Sequence, residues 1–341
     1  MTVPVIRALF QKRIGGDDAL LELAQRRFEE AGLAAEVYAD NADELSWVLT
    51  YAPAAATAPV VHLSRGINLL VPRDREKVEQ LAVRFAGRVD GFVAHDRAQM
   101  ADRGDDLAEA VSHLDGRFRS LPGPPRLWLE YAAGLDPGRF LAVAERLAPI
   151  PTAGICLDVG HVGIRAARTT FGHLHPGLDV TTLTTTDPRL PELVDDVQTA
   201  VRSALGTVLD LIRGLALLGG PLHFHLHDGH PLRPGLADHV SFLTRLPVPF
   251  AFSGRRSLDL LYGAGGLEAI VTTAAETRGP QGASFTLEIH DPPGRLPVDD
   301  ARDLFRHWRD TTNAERMNHW LDVLSQNGML VANALSRVAE G

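Results

Sequence analysis

The chain has 341 residues, of which 45% are hydrophobic and 23% charged, a composition typical of a globular enzyme with a sizeable core. A single cysteine, Cys156, excludes an internal disulfide and a thiolate-rich metal site, so histidines and carboxylates would have to hold any metal. The net charge of −9 disfavours a nucleic-acid partner, and no apolar run is long enough for a membrane span. The amino terminus lacks the pattern of a secretion signal, so a cytoplasmic location is expected.

Short apolar runs alternate with amphipathic helical stretches, which is typical of βα units around a parallel sheet. The predicted strands are Val5–Phe10, Ala35–Tyr38, Pro59–His62, Gly91–His95, Leu127–Glu130, Gly154–Asp158, Leu222–His227 and Ser284–Glu288. Predicted helices include Asp18–Ala31, Arg73–Ala86, Pro137–Leu147, Leu190–Leu218 and Gly266–Thr277. Eight strands with intervening helices predict a single α/β domain, a (β/α)₈ TIM barrel with its core at about 3–295.

An open doubly wound sheet is the competing architecture. The sequence lacks the glycine-rich fingerprint that such sheets use for dinucleotides, and it lacks a P-loop. Two connections are longer than a barrel needs, Val162–Pro188 and Asp228–Pro280, and we expect them to cover the mouth. The stretch at about 297–338 is predicted to form extra carboxyl-terminal helices.

In such a barrel the active site lies at the carboxyl ends of the strands. Four apolar runs end there in residues of the types that bind metals: Leu127-Trp128-Leu129-Glu130, Gly154-Ile155-Cys156-Leu157-Asp158, His223-Phe224-His225-Leu226-His227-Asp228 and Phe285-Thr286-Leu287-Glu288. Each end taken singly is as easily a polar cap on a strand, but four at one barrel end predict a metal centre. A mixed set of carboxylates and imidazoles suits Mn²⁺, Zn²⁺, Co²⁺ or Fe²⁺, and it suits Mg²⁺ less well.

These motifs, Leu-Glu, Leu-Asp-x-Gly-His, His-x-His-Asp and Thr-Leu-Glu in this order, resemble the xylose-isomerase-like barrel superfamily. The resemblance covers roughly Pro59 to Asp291. That superfamily includes sugar isomerases, epimerases, dehydratases and endonuclease IV, so the motifs do not specify a substrate. The resemblance implies that the metal ligands are Glu130, Asp158, His225 and Glu288.

Further positions resemble the trinuclear zinc site of endonuclease IV or have another candidate role in ligand or substrate binding. They are His62, His95, His161, His227, Asp238 and His239. The adjacent Asp238-His239 departs from the Asp-x-His spacing of that family, and His227 stands where the superfamily often has Lys or Asn. His223 is expected to be a buried, hydrogen-bonded histidine.

The favoured function is a metal-dependent isomerase, epimerase or dehydratase of a small sugar-like or hydroxy-carbonyl compound. Glu130 and Glu288 would move protons through a metal-held enediolate. The alternatives are a hydrolase in which metal-activated water attacks a phosphodiester or another electrophile, and an iron-dependent oxidative enzyme. Trp128, Arg255 and Arg256 are candidate substrate contacts, although Trp128 could equally be core and the arginines solvated surface. The partner is expected to be a small molecule, with homo-oligomers possible.

Overall fold

The computed structural model of the chain describes residues 5–9, 17–52, 57–132, 134–183, 187–232, 239–243, 260–279, 282–289 and 313–340. Within these residues, no helix is both long enough and apolar enough to cross a membrane.

Eight strands form a closed barrel in the order of the sequence, and the strands from the first to the seventh pair in parallel with their neighbours. The strands are β1 Ile6–Leu9, β2 Ala34–Tyr38, β3 Val60–His62, β4 Gly91–His95, β5 Arg126–Glu130, β6 Ala153–Asp158, β7 Leu222–Leu226 and β8 Ala283–Glu288. The prediction of a (β/α)₈ TIM barrel is confirmed, and each strand agrees with its predicted position to within a residue.

Nine α-helices lie in the described part of the chain. They are α1 Asp18–Glu30, α2 Ala42–Thr50, α3 Pro72–Arg84, α4 Gly104–Phe118, α5 Pro137–Leu147, α6 Val159–Leu174, α7 Leu190–Leu217, α8 Gly263–Arg278 and α9 Asn313–Glu340. Local sequence explains several starts. The side chains of Asp17 and Asn41 accept hydrogen bonds from the first turns of α1 and α2, and Asp136 does so for α5, where Pro137 occupies the first position.

The expectation that Val162–Pro188 is a long connection over the mouth is wrong for its first half. Helix α6 begins directly after β6 and runs to Leu174. Its buried residues Ile164, Ala167 and Phe171 follow one another at helical spacing, so this segment packs as an ordinary amphipathic helix. Helix α9 bears out an extra carboxyl-terminal helix, whereas 297–312 lie outside the described residues.

Strand register brings polar strand ends to the same level of the barrel. His95 at the end of β4 pairs with Glu130 at the end of β5, and Asp158 at the end of β6 pairs with His225 on β7. Because all these strands are parallel, their carboxyl ends lie at one edge of the sheet. The register therefore gathers the predicted ligands before any side-chain contact is considered.

Trp128 lies in the core on β5, in one buried cluster with Val60, Val93 and Cys156. Gly91 and Gly154 make room for its indole, because a Cβ at either position would overlap the ring. Since only 2% of Trp128 is exposed, the structure places it among core residues, and a role in substrate contact stays an untested prediction.

The chain divides into two compact units. Unit 1 comprises 1–158, 211–225 and 274–287, and unit 2 comprises 159–210, 226–273 and 288–341. The single-domain prediction stays a prediction.

Candidate metal centre

Unit 1 contains a cluster of buried histidines and carboxylates on successive strands, which we call the first cluster. Its members are Glu36, His62, His95, Glu130, Asp158, His223 and His225, all at most 7% exposed. Charged groups are rarely buried unless they are paired or bind a metal, so this concentration indicates a functional site.

Glu130 is the centre of the first cluster. Its Oε2 lies 3.4 Å from His62 Nε2 and 3.5 Å from His95 Nε2, while its Oε1 lies 3.3 Å from His225 Nδ1. The two oxygens of one carboxylate thus face different imidazoles. The ligand atoms of His62, His95 and Glu130 all lie within 4.8 Å of one another, and so do those of Glu130, Asp158 and His225.

The ring of His62 turns its Nε2 toward Glu130. Its Nδ1 is 3.1 Å from the carbonyl oxygen of Leu63, which can only accept, so Nδ1 carries a proton. In the neutral ring, Nε2 then presents a lone pair to Glu130 Oε2. Tetrahedral zinc with bonds of about 2.0–2.1 Å separates its ligand atoms by roughly 3.3 Å, close to the spacings around Glu130.

Glu36 on β2 forms the deepest part of the cluster, and the sequence analysis missed it. Its Oε2 accepts hydrogen bonds from His223 Nε2 at 2.9 Å and from the Thr286 hydroxyl at 2.6 Å, and its Oε1 accepts from His225 Nε2 at 2.9 Å. The Ser284 hydroxyl contacts His223 Nδ1 at 2.7 Å. His223 is therefore a buried, hydrogen-bonded histidine, as predicted.

The charges of this network shift its pKa values. Burial alone would raise the pKa of Glu36, but the neighbouring His225 and His223 hold it well below the usual range. Glu130 is similar, because burial raises its pKa but His95, His62 and His225 hold that pKa below the usual range. Burial disfavours a charged His225, but Cys156, Glu36 and Glu130 together raise its pKa well above the ordinary value. Both glutamates are consequently ionised, and His225 holds a positive charge unless a metal replaces its proton.

Unit 2 contains a second cluster, made of His161, His227, His239 and Glu288. The His227 and His239 ring centroids are 3.9 Å apart, and His161 lies 5.7 Å from His227 and 5.5 Å from His239. One nitrogen of each ring lies within 4.8 Å of the others. His239 Nε2 is 3.4 Å from Glu288 Oε1. Three imidazoles and a carboxylate are a donor set typical of zinc.

Backbone features of unit 2 bring these rings together. His227 Nδ1 donates to the carbonyl oxygen of Asp228 at 3.0 Å, which leaves Nε2 as the acceptor in a neutral ring. An isolated antiparallel bridge joins Asp228 to Val240, the residue after His239. Gly160 has no side chain where the His227 ring lies, and a Cβ there would overlap that ring. The glycine before His161 is thus required by the neighbouring histidine.

An aspartate follows a histidine of each cluster and accepts three backbone N–H groups. In unit 1, Asp96 accepts from Ala132, Gly134 and Leu135 at 2.8–3.0 Å. In unit 2, Asp228 accepts from Gly229, Tyr262 and Gly263 at 2.8–3.2 Å. Burial raises the pKa of Asp96 to about 6 and that of Asp228 to about 7, against the effect of these donors. Both side chains fix the loop beside a cluster.

The remaining predicted site residues lie outside the described residues. These are Asp238, Arg255 and Arg256.

No protein-family model matches the sequence, and no curated protein gives a significant match. Among solved structures, the chain is similar to a thermostable mutant of the xylanase Xyn10A from Cellvibrio japonicus, with 12% identity, a TM-score of 0.42, and coverage of 84% of this chain and 87% of that one. It is also similar to the carboxyl transferase domain from Rhizobium etli pyruvate carboxylase with pyruvate, with 12% identity and a TM-score of 0.40; the match covers 97% of this chain but only 49% of that one. Similarities this distant carry no argument about function.

Proposed function

We propose that the protein is a metal-dependent hydrolase of a small phosphoester, with at least two divalent ions held by the first cluster. The observation that carries the proposal is the position of Glu130. Its Oε2 faces His62 and His95, and its Oε1 faces His225. A carboxylate with each oxygen in a different donor set is suited to be shared by two ions, as in two-metal hydrolytic sites.

The donor types restrict the metal. The first set offers two imidazoles and one carboxylate oxygen, and the set of Glu130, Asp158 and His225 offers two carboxylates and one imidazole. Imidazole-rich sites favour Zn²⁺, with Mn²⁺, Co²⁺ and Fe²⁺ as alternatives, whereas Mg²⁺ prefers oxygen and water ligands. We expect zinc.

The residues of this chain supply charge, position and exclusion of water. A bound divalent ion would contribute Lewis acidity and would lower the pKa of a water molecule it holds. Glu130, Asp158 and Glu36 supply three negative charges to neutralise bound cations in a buried site. The rings of His62 and His225 stack at a centroid distance of 5.2 Å, which restricts their rotation. Ligands held in this way lose little entropy when an ion binds.

A small substrate fits the charge of the chain better than a polyanion. The net charge of −9 repels nucleic acid at long range, while a phosphoester of one or two charges is attracted locally by the cations. Two-metal sites are widespread among phosphatases and nucleases, which supports the phosphoester class.

The isomerase or epimerase interpretation is the second candidate. It is favoured by the group of Glu130, Asp158 and His225, whose two carboxylates and one imidazole would suffice for a single ion. A lone ion can chelate neighbouring oxygens of a hydroxy-carbonyl compound, after which a carboxylate moves a proton. Under this alternative, the other histidines of the first cluster contact substrate or serve the structure.

Metal content per chain tests the two candidates directly. The protein is purified without chelator or nickel, its metals are measured by elemental analysis, and turnover is followed on phosphomonoesters, phosphodiesters, sugars and cyclitols. We expect at least two equivalents of zinc and phosphoester hydrolysis that chelation abolishes and zinc restores. One equivalent together with sugar or cyclitol isomerisation would establish the second candidate; one equivalent of iron with oxygen consumption would establish the oxidative alternative.

A pair of glutamate variants assigns the metals to the site. Glu130→Gln should lose both ions of the first cluster, because the amide has no charge to share between them. Glu145→Gln, on the exposed face of α5, is the matched control and should keep them. Unchanged metal content in folded Glu130→Gln would refute the shared-ligand proposal.

A further inference from the structure

Glu36 presents a combination that strand packing does not require. It is a carboxylate, 1% exposed, in the interior of a barrel strand, and it accepts three hydrogen bonds. A buried charge is costly even when it is paired, and an apolar side chain of similar size would often be as stable. A function beyond packing is therefore indicated for this residue.

The bond from His225 to Glu36 determines which nitrogen faces the rest of the cluster. Glu36 accepts from the Thr286 hydroxyl and lies 2.9 Å from a nitrogen of each of two imidazoles, so it is the acceptor in this network and His225 Nε2 carries the proton. The other nitrogen, Nδ1, then points toward Glu130 Oε1 at 3.3 Å. In a neutral ring this leaves the lone pair of His225 on Nδ1, on the side of Glu130.

The rest of the network holds Glu36 in this position. Its second oxygen accepts from His223 Nε2 and from the Thr286 hydroxyl, and Ser284 fixes the far side of the His223 ring. With three donors on one carboxylate, a rotation of Glu36 would break several bonds at once. The carboxylate is thus a rigid reference for the orientation of His225.

We infer that Glu36 is a positioning residue that makes His225 a metal ligand through Nδ1. The inference rests on the proposed function, because it presumes that an ion binds beside Glu130. Carboxylates that accept the second N–H of a ligating histidine fix its tautomer and raise its basicity, and their loss weakens metal binding about 10–100-fold. Glu36 would act through His225 without contacting metal or substrate.

The test compares Glu36→Gln with wild type in zinc affinity and in ring protonation. Zinc affinity is measured by competition with a chromophoric chelator, and histidine nitrogens are assigned in the zinc-loaded protein by long-range proton–nitrogen NMR. In wild type, we expect His225 with a protonated Nε2 and a zinc-bound Nδ1. In the variant, we expect about 10–100-fold weaker zinc binding. We also expect an altered visible spectrum after Co²⁺ loading, because the ligand field changes with ring orientation.

Thr286→Val is the matched control, since it removes a donor to the same carboxylate but leaves the bond to His225. We expect its zinc affinity and Co²⁺ spectrum to change less than those of Glu36→Gln, because His223 still holds the carboxylate. If Glu36→Gln folds and keeps wild-type affinity and spectrum, or if wild-type His225 binds zinc through Nε2, the positioning role is refuted. If both Glu36→Gln and Thr286→Val weaken zinc equally with unchanged spectra, the network is structural only. A wild-type chain that binds no ion would instead refute the proposed function.

Discussion

The two clusters are built from the same residue types in different proportions. The first has three carboxylates, Glu36, Glu130 and Asp158, among four imidazoles, whereas the second has three imidazoles and Glu288. In the first cluster, Glu36 contacts His223 and His225, while the backbone carbonyl of Leu63 contacts His62. In the second, the backbone carbonyl of Asp228 contacts His227. The comparison shows that backbone carbonyls orient an imidazole in each cluster, and that the first cluster adds a buried carboxylate which orients two more.

The largest expected difference lies in which ion a histidine variant removes. His95→Ala should abolish one equivalent of zinc from the first cluster, because it deletes a donor that faces Glu130 Oε2. His239→Ala should abolish one from the second cluster, because it deletes the ring beside Glu288. His113 is exposed on α4, and His113→Ala should bind as much zinc as the wild type. Elemental analysis after dialysis measures the zinc that remains per chain. If either variant loses all of its zinc, the two clusters do not bind zinc independently.

Acid should release zinc from both clusters. Imidazole ligands bind metal only when they are neutral, so protons compete with zinc for the histidines as the pH falls. Zinc retained per chain is measured by equilibrium dialysis from pH 8 to 5, and we expect it to decrease across this range. Unchanged zinc content at pH 5 would contradict imidazole ligation.

A glycine pair in α6 tests the backbone device of the second cluster. Alanine usually stabilises a helix relative to glycine by up to about 1 kcal/mol, and Gly172→Ala has open space around its Cβ. Gly160→Ala should lose this gain because its Cβ displaces His227, and one zinc should bind about 10-fold more weakly, as for outer-shell changes. Thermal unfolding and chelator competition measure the two effects. Equal behaviour of the two variants would show that the His227 ring adjusts freely.

The last comparison concerns the stability contributed by the loop aspartates. Asp228→Asn should cost about 1–3 kcal/mol, since an amide cannot accept from all three backbone donors. The pKa of Asp228 in the folded chain is raised to about 7. Its carboxyl therefore contributes fully to the free energy of unfolding below its unfolded pKa of about 3.9, and this contribution is lost as the pH rises toward 7. The free energy of unfolding of the variant should lack this dependence on pH. Denaturant unfolding at pH 5 and pH 8 measures this dependence, and Asp96→Asn is the counterpart in unit 1. If the free energy of unfolding changes equally with pH in wild type and variant, the pKa of Asp228 is not raised.

The barrel could be predicted from sequence because each strand is a short apolar run with polar residues at its end. Helix α6 was missed in part because its threonines, glycine and histidines near residue 170 are typical of loops. Burial of Ile164, Ala167 and Phe171 on one face outweighs those weak local preferences.

Sequence reasoning identified cluster residues that end a strand and overlooked one that lies inside a strand. His62, His95, Glu130 and His225 stand at or near strand ends, and the structure brings them together. Glu36 lies in the middle of β2 among small and apolar residues. In such an alternating pattern, a charged residue is predicted to face solvent. Only the contacts across the barrel with His223, His225 and Thr286 reveal that it faces inward.

The indole of Trp128 occupies space that two neighbouring strands leave empty at Gly91 and Gly154. A methyl group at either glycine would collide with the ring, and a smaller residue at 128 would open a cavity in the barrel interior. A Cβ at Gly91 would also lie 2.6 Å from the carbonyl oxygen of Arg126, and one at Gly154 would lie 2.8 Å from that of Pro221, so the backbone requires glycine at both positions whatever residue stands at 128. In an alignment of homologues, we therefore expect glycine at 91 and 154 even in sequences that have a smaller side chain at 128.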